Sequence, residues 1–318
     1  MSIFVIYILY TLNFGLDYMM QRKTYKVAGH VFCLEMRSDS HIWERAEESY
    51  GPFETAGDEE ETLFNVSLCD EPVTDSSAVM AYTNKDSVEP GFITLTVYRS
   101  SKGHYFEFTQ PGSAEVNGRL FINNSLNEAR LSLYGNEFSQ WLTFNTGVNF
   151  CYLLSTSCLG TVLTHASCVK YKGKAYLFLG KSGTGKSTHS RMWLEALEGV
   201  MLMNDDHPVI RIDGNGQAIA YGSPWSGKTR CYKNIEAPVG AIVRISRARY
   251  NKARRLSPIE AYASLMTSCS GMTWEPELAD GRYRTIQAII SSSPCWVMEC
   301  LPDADAARVC SKAVTEQP

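Results

Sequence analysis

Ala175-Tyr-Leu-Phe-Leu179 runs without a break into Gly180-Lys-Ser-Gly-Thr-Gly-Lys-Ser-Thr188. The first five residues read as a fully buried strand, and His189 to Leu197 has helical character. Between them lies the P-loop pattern G-x-x-x-x-G-K-[ST], in the strand–turn–helix setting that the pattern requires. Gly183 and Gly185 give the backbone freedom to turn successive N–H groups inward around phosphate oxygens. The helix N-terminus adds partial positive charge at the same point. Gly180, Ser182, Gly183, Thr184, Gly185 and Thr188 are the candidate nucleotide cradle, with Lys186 on the β/γ-phosphates and the Ser187 hydroxyl as a Mg²⁺ ligand. The bare pattern arises by chance in about one chain of this length in a hundred, and its flanks lower that further.

A nucleotide loop needs a carboxylate for its metal. Asp205 and Asp206 close the next apolar run, Gly199 to Asn204, one helix beyond the loop. Adjacent acids at a strand's end can divide two roles, one holding Mg²⁺ and the other taking a proton from an incoming hydroxyl. The sequence does not say which does which. The P-loop pattern recurs at Gly222-Ser-Pro-Trp-Ser-Gly-Lys-Thr229, but there Pro224 removes a donor, Trp225 is bulky and Pro238 follows too soon for a long helix. This copy reads as a second active-site loop in which Lys228 or Arg230 neutralises phosphoryl charge, with a plain surface turn as the bland alternative.

Working outward, apolar runs at 175–179, 199–203, 208–212, 239–245 and 295–300, with helical stretches between some of them, indicate an α/β core around a sheet. Glu137 to Leu163 reads as helical. Upstream, from Thr24 to about Tyr134, short β-branched and aromatic runs such as Gly91–Arg99 and His104–Phe108 suggest a β-rich module with a hairpin at Lys102-Gly103. Ser38 to Asp75 is acidic and poorly periodic and reads as loop. The expected division is an apolar segment at 1–20, the β-rich module at 21–135 and the P-loop domain at 136–318.

Composition bounds the rest. The 318 residues are 44% apolar, 20% charged and 11% aromatic, which excludes disorder and fibrous classes for the whole chain. Thirty basic and 34 acidic residues leave a net charge of −4, with no basic block, so nucleic acid is not an expected partner. Ten cysteines at irregular spacing, without a Cys-x-x-Cys pair, read as reduced thiols in a cytoplasmic protein and not as a zinc site. Ser2 to Met20 is mostly apolar with no preceding Lys or Arg. It fits an over-extended start before Met19 or Met20, a membrane anchor or a cleaved signal; membrane association is expected only if this stretch is genuinely part of the protein.

At Gly180–Thr188 and Asp205-Asp206 the chain resembles the HPr kinase/phosphorylase and phosphoenolpyruvate carboxykinase superfamily, most of all the short HPr-kinase-related proteins of bacteria, over roughly 160–245. His165-Ala166 stands where that family has a histidine before its P-loop, and the resemblance implies that His165 lies near the catalytic Asp. It also implies a carboxykinase-like core with a mixed sheet, ATP and Mg²⁺ as cofactors, and a hydroxyl acceptor on a protein, peptide or small molecule. HPr kinases form hexamers, and a homo-oligomer is an expectation by this likeness alone. Two departures stand out: Gly222–Thr229 carries no acid where HPr kinases have a further metal ligand, and no carboxykinase arginine constellation is present. The expected activity is γ-phosphate transfer to a hydroxyl. The alternatives are an inactive nucleotide-binding sensor or scaffold, and a carboxykinase-like enzyme for a small carboxylate.

Overall fold

Residues 19–55, 61–86 and 92–316 are described in a computed structural model of the chain. It is a mixed α/β structure. The first sheet is built from β1 (Met20–Val27), β2 (His30–Arg37), β3 (Phe64–Leu68), β4 (Val79–Thr83), β5 (Thr94–Arg99), β6 (Gly103–Thr109), β7 (Gly118–Asn123) and β8 (Glu128–Leu133), ordered β1-β2-β3-β8-β7-β6-β5-β4. Only β2–β3 and β3–β8 pair in parallel. The hairpin around Lys102 joins β5 to β6 in antiparallel register.

Helix α1 (Ile42–Tyr50) and β3 lie inside the acidic stretch read from sequence as loop. That expectation fails for a physical reason. Helix α1 places Ile42, Ala46, Ser49 and Tyr50 on the core at helical spacing, but in an element of 9 residues that also carries Glu44, Arg45, Glu47 and Glu48, so the charge of the stretch masks its apolar stripe. Strand β3 buries just Phe64 and Val66. Helix α2 (Glu137–Thr156), grouped by the sequence reading with the second half, buries Phe144, Val148, Cys151 and Tyr152 in the core under the first sheet. It also meets β9 (Thr161–Leu163) of the second sheet.

The second sheet adds β10 (Ala166–Tyr171), β11 (Lys174–Leu179), β12 (Met201–Asp206), β13 (Val209–Ile212), β14 (Ala218–Tyr221), β15 (Glu236–Arg247), β16 (Lys252–Arg255) and β17 (Cys295–Cys300). Its main path runs β12-β10-β11-β15-β14-β13-β9, with β17 also on β15 and β16 on β17. Strand β11, buried from Ala175 to Leu179, pairs in parallel with β15, which pairs in parallel with β17. Burial on both faces is what a parallel strand needs, and it explains the unbroken apolar run. Helices α3 (Lys186–Ala196) and α6 (Ala304–Thr315) cover one face; α4 (Pro258–Met266) and α5 (Pro276–Ser292) cover the other.

The two sheets share a core. Leu163, Val209, Trp225, Met272 and Leu278 join the cluster under the first sheet. Polar ties follow the same seam: Arg211 donates to the Ala28 carbonyl at 2.7 Å, and His30 Nε2 meets Thr161 Oγ1 at 2.8 Å. All ten cysteines are free and most are buried. Residues 1–18, which hold most of the apolar segment, lie outside the described residues. Among the described residues no helix is long and apolar enough to cross a membrane.

Two buried histidines make the fold sensitive to acid. Burial, aided for His30 by nearby Arg211, pushes the pKa of His30 down to about 4; burial does the same for His189, also to about 4. Each is neutral when folded, whereas the unfolded chain takes up those protons near pH 6.5, so stability falls as the pH drops from about 6.5 towards 4. The loss amounts to about 3 kcal/mol per histidine at most. Urea unfolding across this range should show the decline, flattened in a His30→Gln/His189→Gln double variant; equal midpoints for the wild-type protein at pH 7 and pH 4.5 would refute the linkage.

Candidate functional site

Register assembles the site. Strand β10 lies between β11 and β12, and Ala166 stands opposite Leu179 on one side and Asp206 on the other. One line across three strands therefore carries His165, the start of the glycine-rich loop and the acidic pair. A register shift between Cys168 and Val169 keeps Ser167 opposite Asp205. Below this line the Ser167 and Ser190 hydroxyls meet at 2.5 Å, fastening α3 to the strand that leads from His165.

The loop closes on itself before α3 begins. Thr184 Oγ1 donates to the Lys181 carbonyl, and Gly183 and Gly185 take φ of +74° and +111°, which side-chain-bearing residues rarely adopt. A Cβ at either glycine would meet nothing within 4 Å, so the cradle is open. Ser182, Ser187 and Thr188 are exposed around it. Lys186 turns inward and is 8% exposed. Its ammonium donates to the Gly180 carbonyl at 3.0 Å and lies 3.1 Å from His165 Nε2. Burial lowers its pKa, and the charges of Asp206 and Asp205 oppose part of that shift.

Asp206 is held from both sides. His165 Nε2 is 3.3 Å from one carboxylate oxygen and His207 Nδ1 is 3.1 Å from the other, and the two rings lie nearly parallel, 5.9 Å apart. Burial would raise the Asp206 pKa, but hydrogen bonds and charge from His165 and His207 outweigh it and hold the carboxyl well below the usual range. Its φ of +153° is one that side-chain-bearing residues rarely adopt. His165 Nε2 cannot both accept from Lys186 and donate to Asp206; the tautomer decides between them. Asp205 is different: only 5% exposed, its carboxylate takes no hydrogen bond from any described residue.

The loop 222–230 lies against this pair. Gly227 N–H donates to the Asp205 carbonyl at 2.7 Å, and Ser226 bridges Asp206. No helix follows it. Its glycines serve contact: a Cβ on Gly222 would strike the Lys233 carbonyl, and one on Gly227 would press on Asp205 and Asp206 at 3.1 Å. Lys228 is exposed on this loop, and Arg230 gives its guanidinium to Glu48 at 2.9 Å.

Three participants escaped the sequence reading. Asn204 donates to the Ser223 and Trp225 carbonyls and to Ser223 Oγ, and accepts from His207 N–H at 2.9 Å. His207 itself is the second clamp on Asp206. Arg247, ending β15 beside the loop, donates to the Gly183 carbonyl. Arg247 alone had a usable signal, a cation at the end of a strand parallel to the loop's own.

No family model matches the chain, and no curated protein matches it. Among solved structures, the HPr(Ser) kinase/phosphatase from Coxiella burnetii is similar at 14% identity, over 48% of this chain and 93% of that one, with a TM-score of 0.28. Similarity at that level does not establish a shared fold.

Asn204 generates a prediction. Its replacement by Ala strands buried carbonyls and the His207 N–H, and should cost about 2 kcal/mol in urea unfolding. A loss below about 0.5 kcal/mol would show that surface water replaces these bonds.

Proposed function

We propose that this site binds ATP with Mg²⁺ and transfers the γ-phosphate to a hydroxyl, in the first instance a serine of a protein or peptide. The carrying observation is the chain Lys186–His165–Asp206 at the mouth of an open glycine-rich loop: a cation for phosphate, a carboxylate kept ionised and a histidine between them. The choice of acceptor rests on the motif resemblance over 160–245.

The residues present suit the nucleotide and its metal. Among the described residues no three His, Cys, Asp or Glu side chains cluster as a self-sufficient metal site. Mg²⁺ does not need one, because it keeps waters and takes one or two protein oxygens beside the phosphates. The nearly buried Asp205 carboxylate, without a protein donor, fits that part, together with the Ser187 hydroxyl. Bound there, Mg²⁺ would neutralise charge on the phosphate oxygens.

The chain's own groups do the rest. Backbone N–H groups from Gly180 to Thr188 orient the phosphates, and phosphate oxygens compete with the Gly180 carbonyl and His165 for Lys186. His165, released from Lys186, donates to Asp206 and fixes its carboxylate. Asp206 accepts the hydrogen bond of the incoming hydroxyl and takes its proton as that oxygen bonds to the γ-phosphorus and the bond from the phosphorus to the β–γ bridging oxygen breaks, so that ADP leaves. Lys228, exposed beside the acidic pair, supplies positive charge to the transferring group; Arg230, engaged by Glu48, holds the loop.

Transfer of labelled γ-phosphate to proteins and small hydroxyl compounds tests this. Lys186→Ala and Asp206→Asn should each lower transfer by about a hundredfold or more. Asp205→Asn should instead raise the Mg²⁺ concentration needed, with much of the rate recovered at saturation. Unaltered transfer in Lys186→Ala and Asp206→Asn would end the assignment. Tight ATP binding with no labelled product would favour a nucleotide sensor, a reading that the acid-free loop 222–229 supports.

A further inference from the structure

The strands of the first sheet have no part in the chemistry just described, yet a side chain of the helix packed on them reaches the loop beneath the acidic pair. Tyr50, the last residue of α1, is fully buried, and its hydroxyl sits between two partners. It accepts from Trp225 Nε1 at 3.1 Å and donates to Asn145 Oδ1 on α2 at 2.9 Å. The Tyr50 and Trp225 rings cross at 90° with centroids 6.3 Å apart, and Tyr152 closes the other side of the indole at 5.0 Å. Trp225 is 2% exposed, in the core of the first sheet although its chain position belongs to the second.

From Trp225 the connection to the site is short. Its carbonyl accepts from Asn204, the residue before Asp205. The next two residues, Ser226 and Gly227, make the bridge to Asp206 and the hydrogen bond to Asp205. Three residues further on, Arg230 grips Glu48, two residues before Tyr50 on the same helix. The loop is thus pinned to α1 at a buried point and at an exposed one, with the contacts to the acidic pair between them. The exposed pair is worth little by itself. The buried hydroxyl, with both roles used, is the pin that matters.

We infer that Tyr50 is a positioning residue for the site: through Trp225 it fixes loop 222–230 against Asp205 and Asp206, and so makes the first sheet the brace of the second. Any partner or modification that displaces α1 is then felt at the acidic pair. The rate arm of the test rests on the proposed phosphotransfer; the exchange arm does not.

The variants are Tyr50→Phe, Trp225→Phe and the pair together, each in the full chain. By amide hydrogen exchange, Tyr50→Phe should raise exchange across 223–230 and at Asp206 by about tenfold, leaving β11 and α3 unchanged. In the transfer assay it should lower kcat by about tenfold while the KM for ATP stays at the wild-type value. Adding Tyr50→Phe to Trp225→Phe should have little further effect on either readout, because both remove one interaction. Exchange raised evenly over the whole chain, exchange unchanged at 223–230, or fully additive effects in the double variant would each overturn the inference. If the wild-type protein transfers no phosphate, the phosphotransfer reading falls and the exchange pattern alone decides the role of Tyr50.

Discussion

The alignment of three strand ends underlies everything at the site. Asp206, Ala166 and Leu179 face one another across β12, β10 and β11, so the first residue of β10 and the last residues of β11 and β12 come to one edge. A slip of one residue in β10 against β12 would break the pairing of Ala166 with Asp206 and turn the buried set of β10 to the other face of the sheet. Strong burial on the strand faces keeps that slip from happening: Ala166, Cys168, Leu177, Leu179 and Met203 belong to one core cluster, while Val169, Tyr176 and Phe178 belong to another. The hydrophobic pattern of the sheet and the spacing of the polar groups at its edge are the same constraint seen from two sides.

What could be read from sequence follows from how local each signal is. The glycine-rich loop is legible because its pattern is written in consecutive residues, and β11 because it holds five apolar residues in a row. Asp205 and Asp206 are legible by their place at the end of the next run. His165 is not: nothing in Leu163–Ser167 distinguishes it, and only resemblance to a family raised it. Asn204, His207 and Tyr50 are harder still, since each matters through a partner distant in sequence or through the fold of a loop. Helix α1 was misread for the related reason that its value lies in four inward residues on an otherwise charged turn of chain.

The second Gly-Lys-Thr copy shows how one pattern can arise from two kinds of physics. In Gly180–Ser187 the glycines take backbone angles that open a cradle, and a helix follows to lend its dipole. In Gly222–Thr229 the glycines are small because carbonyls and the acidic pair press on them, and no helix follows. Trp225, unsuited to a loop that embraces phosphate, is well suited to a loop that must be anchored in a core. The features that disqualify the second copy as a nucleotide site are those that qualify it as a support for the first.

The charges at the edge meet at a single nitrogen, His165 Nε2, which Lys186 and Asp206 both approach. Lys186 and Asp206 compete for His165 Nε2, and the competition is settled by whatever else Lys186 can bind. A phosphate oxygen offers it a full negative charge in place of a carbonyl and an imidazole nitrogen, and charge-assisted hydrogen bonds are about twice as strong as neutral ones. Under the proposed function, phosphate in the loop would draw Lys186 away and leave His165 Nε2 free to donate to Asp206. His207 holds the other oxygen of Asp206 whichever way His165 turns, so the carboxylate keeps one fixed partner and exchanges only the second.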